Sequence, residues 1–373
     1  VAVSSGAVRD MTSATPEAER DALTERLFGA FLGAADSFAI YLGHRLGYYQ
    51  ALWKQGPATS AELAARTKTH ERYAREWLEQ QAASSVLTVD DPAKDPGARR
   101  FTLPAGHAMV LADPDDLAYL TPLAQIFAAA LRKSDELVAA YRSGRGVSWA
   151  EFGSEMREAQ GAQNKPLYLG PLAKDFLPAI PDVHARLMAD PPARVADIAC
   201  GFGWSSIGIA KGYPKVRVDG FDLDAPSIAA ATANAREHGV SDRVRFEARD
   251  AADPALAGRY DLVTIFEALH DMSRPVEVLR AARRMLADGG TALVMDEKTD
   301  ERFSAPGSAA IANVPSSAVW MLLVWVPDWK VIVARSGFPF CARTSPVKDP
   351  VVRDAAGSSV TSALADAPTF TTT

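Results

Sequence analysis

The run Val195-Ala-Asp197-Ile198-Ala199-Cys200-Gly201-Phe202-Gly203-Trp204-Ser205-Ser206 joins an apolar, strand-like stretch to a helical one through a glycine-containing turn. Glycine at such a turn lets the main chain approach a ligand with no side chain in the way. The helix that follows offers N–H groups and the positive end of its dipole to an anionic group. Further on, Asp222 closes the second strand-like run, within Val218-Asp219-Gly220-Phe221-Asp222-Leu223-Asp224. A carboxylate there can accept both hydroxyls of a ribose. A glycine turn plus a distal acid indicates a nucleoside-containing cofactor at the carboxyl edge of a parallel sheet. The plainer alternative is an α/β domain with a tight turn and a solvated aspartate.

NAD and S-adenosylmethionine are the two cofactors to separate. The dinucleotide fingerprint asks for G-x-G-x-x-G, whose third glycine permits close helix–strand packing beside a pyrophosphate. Here the third position is Ser206, preceded by bulky Trp204. A site for S-adenosylmethionine has no pyrophosphate to cradle and tolerates this. It needs an adenine clamp at the end of the third strand, where Asp250-Ala251 stands. That carboxylate can accept from an adenine amino group, although a strand-end Asp also serves as an ordinary turn cap.

Taken in order, Asp197 to Gly203, Asp219 to Asp222, Arg249-Asp250-Ala251, Tyr260 to Phe266, and Leu286-Ala-Asp-Gly289-Gly290 before a strand form a specific set. This set, over about residues 190–300, resembles the class I S-adenosylmethionine-dependent methyltransferases. The resemblance implies that Asp197, Gly201 and Gly203 lie under the methionine portion, Asp222 on the ribose, and Asp250-Ala251 on the adenine. Ala199, Leu223 and Phe266 complete the expected cofactor set. One departure is that Ala199 stands where the family's D-x-G-x-G-x-G has its first glycine.

The segment Glu267-Ala-Leu-His270-Asp271-Met272 follows the fourth strand and looks like the Leu-His-Asp-Trp segment of small-molecule O-methyltransferases. In those enzymes the histidine is the general base, which makes His270 the candidate here. The chemistry is coherent, because the sulfonium makes transfer intrinsically favourable. The enzyme must then align an acceptor hydroxyl and remove its proton, and imidazole titrates near neutrality. A carboxylate should hold the other ring nitrogen. Asp296 or Glu297, just past the fifth strand, resembles the acidic partner, and Glu297 is taken with His270 as the catalytic pair. Asp271 is expected to be exposed or to cap the helix at Pro275. The competing reading is that His270 only packs at the strand end. The other histidines form no metal-ligand spacing, so no metal is expected.

These residues must be positioned by strands at 195–198, 216–221, 244–248, 262–266 and 291–295, alternating with helices at 205–211, 226–238 and 275–286. That alternation predicts βαβ units and a parallel sheet with right-handed crossovers. The fold class is therefore α/β, a Rossmann-like doubly wound sheet, preceded by a mostly helical winged-helix domain. In that leading part, apolar residues recur at helical spacing over 23–52, and Gly56-Pro57 breaks the pattern. Thr59 with Glu62 forms a capping-box signature, and Thr69 is expected to cap a second helix burying Tyr73, Trp77 and Leu78. Two short helices followed by a two-stranded ribbon is the order of a winged helix.

The expected organisation is a loose segment at 1–18 and a winged-helix dimerisation domain at 19–115. A helical linker covering the acceptor pocket follows at 116–190, then the cofactor domain at 191–305. A divergent segment with a disordered tail closes the chain at 306–373. Winged-helix methyltransferases of this kind, including actinobacterial regulator-like ones, imply a homodimer. Phe152, Asn164 and Tyr168 in the linker are candidates to line the pocket.

Composition bounds the alternatives. The chain has 373 residues, a formal net charge of −6 and two cysteines. The acidic balance disfavours phosphate-driven nucleic-acid binding, and Arg72 and Arg75 of the second winged-helix helix are offset by Glu71, Glu76 and Glu79. Cys200 and Cys341 exclude a disulfide framework and fit a reducing, cytoplasmic setting. Residues 318–326 form an apolar stretch of about nine residues, short of the roughly 20 a bilayer requires. No signal-peptide core is expected near the start. The runner-up reading is a catalytically impaired cofactor-binding or regulatory protein, since the closing hairpin usual in the fold and a second carboxylate for the histidine cannot be placed after Pro306. Trp320, Trp325 and Trp329 there fit a core, a substrate wall or a partner contact.

Overall fold

The structure, a computed structural model, describes residues 15–296. The chain divides between Ala112 and Asp113 into two compact units.

The first unit opens with α1 (Pro16–Arg45), whose N-cap Thr15 accepts a hydrogen bond from the Ala18 amide. The periodic stretch read as one run resolves into two helices. Gly47, at φ 71°, takes the left-handed conformation that ends the first and starts α2 (Tyr48–Gln55). Helix α3 (Ser60–Thr67) carries the full capping box of Thr59 and Glu62. Helix α4 (Glu71–Ala83) departs from expectation at its start, where His70, not Thr69, is the cap. Thr69 instead accepts from the Tyr48 hydroxyl at 3.0 Å. The buried face of α4 is Ala74, Trp77, Leu78 and Gln81, while Tyr73 is 74% exposed. Tyr73, expected on the buried side, lies outside the stripe formed by those four residues. The wing is β1 (Thr88–Val89) paired antiparallel with β2 (Phe101–Thr102), and α5 (Ala105–Leu111) closes the unit.

The second unit begins with α6 (Thr121–Leu131), α7 (Ser134–Ser143), α8 (Gly153–Leu169) and α9 (Pro181–Met188). The α/β part follows as β3 (Arg194–Ile198), α10 (Trp204–Gly212), β4 (Arg217–Asp222), α11 (Ala225–Glu237), β5 (Val244–Ala248), β6 (Tyr260–Phe266), α12 (Pro275–Met285) and β7 (Leu286–Met295). The five strands are parallel in the order β5-β4-β3-β6-β7. Strand order reverses between β3 and β6, so the crevice outside their carboxyl ends is the natural ligand position. One face of the sheet packs Val195, Val218 and Leu262 against Ile207, Leu187 and Leu177, and the other packs Ala196, Val263 and Ile265 against Leu279 and Met285. Strand β7 starts earlier than expected, with its register shifting opposite Tyr260 and Leu262. Among the described residues no helix is long and apolar enough to cross a membrane. The tryptophan cluster at 320–329 and the closing hairpin lie outside the described residues.

Candidate active site

The turn after β3 is shaped by three consecutive odd positions in the left-handed region: Ala199 at φ 56°, Gly201 at 50° and Gly203 at 76°. Ala199 therefore carries, with a methyl group, a conformation that favours glycine. The two glycines serve different ends. A Cβ on Gly203 would meet Phe246 Cζ at 2.4 Å, whereas a Cβ on Gly201 would meet nothing within 4 Å. Gly203 is needed by packing beneath the turn, and Gly201 leaves room above it.

Asp197 lies under this turn, 1% exposed. Its carboxylate accepts from Ser205 Oγ at 2.5 Å, Ser206 Oγ at 2.6 Å and Thr264 Oγ1 at 2.8 Å. Burial pushes its pKa up, and the hydroxyl donors only partly offset that. Ser206, at the position where a dinucleotide fingerprint wants glycine, thus anchors the aspartate. The role of these hydroxyls was missed in sequence; their signal was two serines opening the helix after the turn.

Asp222 ends β4 and accepts from the Gly201 amide at 2.9 Å and the Asp224 amide at 2.8 Å. Its carboxyl is also raised by burial. Leu223 beside it is 77% exposed. Asp250 is exposed and caps its own turn through the Ala252 amide, and Ala251 packs at the edge of the core around Leu256 and Leu279. Phe266, at the end of β6, stacks on Tyr168 of α8 with ring centroids 6.0 Å apart.

His270 sits in the short turn after β6. Its backbone amide donates to Asp296 Oδ2 at 3.1 Å, and Nδ1 is hydrogen-bonded to Asp296 Oδ1. Its Nε2 is 3.5 Å from Asp271 Oδ2. Asp296, 3% exposed at the end of β7, is the carboxylate that orients the ring; Glu297 lies outside the described residues. Asp271 does not cap the following helix, whose N-cap residue is Arg274. Burial lowers the His270 pKa, but the Asp296 hydrogen bond and the charges of Asp271, Asp296 and Glu267 outweigh it and raise it to about 10. Glu267, next to this turn, holds a left-handed φ of 49°, the kind of local strain that gathers at functional turns.

The linker candidates fall in two places. Phe152 packs with Ile126, Ala129 and Met156 in the core between α6 and α8. Asn164 accepts from Gln160 Nε2 at 3.2 Å. Tyr168 is 4% exposed, and its hydroxyl has no hydrogen-bond partner among the described residues. Gln160 Oε1, Gln163 Oε1 and Trp204 Nε1 are likewise buried without one. Buried polar atoms left unpaired are costly, so these positions suit a polar ligand that supplies partners. With the open side of Gly201 and the strand-end carboxylate of Asp222, the residues present fit a nucleoside cofactor in the crevice. Among the described residues no group of His, Cys, Asp or Glu could hold a metal ion.

Residues 189–336 match a methyltransferase domain family, and residues 34–113 match a winged helix-turn-helix domain described as Rv2258c-like. The ubiquinone biosynthesis O-methyltransferase of Burkholderia thailandensis is 33% identical over 133 residues, 35% of this chain and 52% of that protein. The chain thus spans about half the length of the curated relatives it matches. In fold it is similar to the mitomycin 7-O-methyltransferase MmcR, with a TM-score of 0.62 and 24% identity, covering 83% of this chain and 88% of that one. Human N-acetylserotonin methyltransferase, solved with SAM, gives a TM-score of 0.58 at 16% identity, covering 84% and 87%. The fold is that of a class I methyltransferase domain preceded by a winged-helix domain.

Proposed function

We propose, from the premise of a class I methyltransferase domain joined to a winged-helix domain, that this protein transfers a methyl group from S-adenosylmethionine to a hydroxyl of a small-molecule acceptor. The observation that carries the reading is the His270–Asp296 pair at the end of β6, beside the crevice outside the carboxyl ends of β3 and β6. The cofactor would supply a methyl group on a sulfonium, a leaving group that needs no activation by the protein. Asp222 would accept the ribose hydroxyls, and Asp197 would brace the turn under the methionine portion. Phe266 and Tyr168 would wall the crevice, with Asp250-Ala251 at the adenine.

His270 takes the acceptor's proton. Asp296 commits Nδ1 and holds the ring, so proton exchange falls to Nε2. The surrounding carboxylates keep the ring protonated at neutral pH in the free protein. The base-competent neutral form therefore grows as pH rises toward 10.

A homodimer is part of the proposal. Helix α1 exposes Leu23, Leu27, Phe28, Phe31, Leu32 and Phe38 along one side, an apolar stripe that suits a second copy. DNA binding is disfavoured by α4, whose Arg72 and Arg75 are paired internally with Glu76 and Glu71. The composition supports a cytoplasmic setting.

The test is transfer of labelled methyl from S-adenosylmethionine to a panel of phenols, aliphatic alcohols and amines, by wild type and His270→Gln. Transfer to a hydroxyl that His270→Gln loses is expected. Transfer only to amines, or transfer indifferent to His270, would contradict it.

A further inference from the structure

Helix α8 follows the crevice along its length. A Cβ on Gly161 would lie 2.4 Å from the Phe202 ring, so the helix presses directly on the turn after β3. One turn later Lys165 Nζ is 5.7 Å from the centre of the Trp204 ring. Near its end the Tyr168 carbonyl oxygen would be 2.1 Å from a Cβ on Gly208, which places the backbones of α8 and α10 in close approach. At the other end of this line stands Arg157. Its Nε is 2.7 Å from Asp224 Oδ2, a buried ion pair whose N–H direction does not meet hydrogen-bond geometry, with side chains 12% and 8% exposed.

Asp224 does two further things. Its Oδ2 accepts from the Ser227 amide at 3.0 Å and the Ser227 hydroxyl at 2.7 Å, capping α11. Its own amide donates to Asp222 Oδ1, whose other oxygen receives the Gly201 amide. A continuous chain of polar contacts therefore runs from α8 through Arg157 and Asp224 to Asp222 and the glycine turn. Burial works against the Asp224 charge, yet the Ser227 hydroxyl and the Arg157 guanidinium hold its carboxyl below the usual range. Asp222, which has no such cation, is shifted the opposite way.

We infer that Arg157 is a positioning residue that latches the cover helix α8 to the ribose end of the crevice, so that α8 and the Asp222 carboxylate are set together. This rests on the assignment of Asp222 to the ribose. Arg157, Asn164 and Tyr168 project from one face of α8, at intervals of seven and four residues. A helix held at Arg157 therefore also fixes where Asn164 and Tyr168 stand. Cofactor binding at Asp222 and the placement of α8 are thereby coupled.

The experiment is calorimetric titration with S-adenosylhomocysteine of wild type, Arg157→Gln, Asp224→Asn and the double variant, with Asp222→Ala alongside. Amide hydrogen exchange of residues 153–169 is followed with and without the ligand. Each single variant should weaken binding about 10-fold or more, the scale on which partners behind a ligand-contacting group act. The double variant, whose two amides can pair without charge, should bind more tightly than the sum of single losses allows. It also guards against a single variant that fails to fold. The ligand should increase protection of α8 in wild type and not in Arg157→Gln. Wild-type affinity with full α8 protection in Arg157→Gln, or strictly additive losses, would overturn the latch. If Asp222→Ala binds like wild type, or wild type does not bind, the ribose assignment fails first and takes the latch with it.

Discussion

The two sides of the crevice are built differently. On the β3–β4 side, the two carboxylates are satisfied within the protein: Asp197 by Ser205 and Ser206 and by Thr264 of β6, and Asp222 by two backbone amides. On the side of α8 and the turn after β6, buried polar atoms on Gln160, Gln163 and Tyr168 have no hydrogen-bond partner among the described residues, and carboxylates crowd one imidazole. A preformed cradle can be read as a site for one invariant ligand. A wall with unfilled hydrogen-bonding capacity can be completed by a polar ligand, and on the proposed reading its imidazole serves proton transfer.

That contrast can be broken at several points. Replacing His270 by Ala should lower the methyl-transfer rate about 10²–10⁴-fold while leaving affinity for S-adenosylhomocysteine nearly unchanged. An equal loss in both would merge the two sides into one. In wild type the rate should climb with pH toward the His270 value of about 10. A rate flat from pH 7 to 10 would remove His270 from the proton path. The same shift bears on stability: with a folded pKa near 10 against 6.5 in the unfolded chain, the contribution is complete below pH 6.5 and is lost as pH rises toward 10.

Asp222→Ala acts on the other side. It should weaken S-adenosylhomocysteine by about 10–100-fold, the loss of one or two hydrogen bonds to a charged group, without altering the His270 titration followed by NMR. Away from the crevice, Phe31 is 70% exposed. Phe31→Asp should leave the fold intact and weaken self-association by at least about 10-fold in sedimentation; an unchanged sedimentation profile would move the dimer surface elsewhere. The smallest effect is at Ala199, whose φ of 56° is strained. Ala199→Gly should raise thermal stability by up to about 1 kcal/mol, relief of left-handed strain offset by the greater chain entropy of glycine. A clear loss of stability would show that the methyl group packs usefully.

The same contrast explains what could be read from the sequence. Asp197, Gly201, Gly203 and Asp222 are carried by consecutive strands and the turn between them, so local pattern places them, and the parallel βαβ arrangement follows from the alternation of elements. The partners that finish the site come from elsewhere in the chain. Asp296 reaches His270 only because β7 pairs with β6. Arg157 reaches Asp224 only through the packing of α8. The Arg157–Asp224 pairing has no spacing signature, whereas the resemblance already offers Asp296 as one of two acidic partners for His270. In the winged helix, Tyr73 shares helical spacing with Trp77, yet the buried stripe of α4 runs through Ala74, Trp77, Leu78 and Gln81 and leaves Tyr73 exposed.

The central claim is a cofactor crevice for an adenosyl ligand, completed by an acceptor wall on its other side. Its most direct test is calorimetric titration of the whole chain with S-adenosylmethionine, S-adenosylhomocysteine and NAD. Micromolar binding of both adenosyl ligands with no binding of NAD is the predicted result. Binding of NAD alone, or of none of the three, would contradict it.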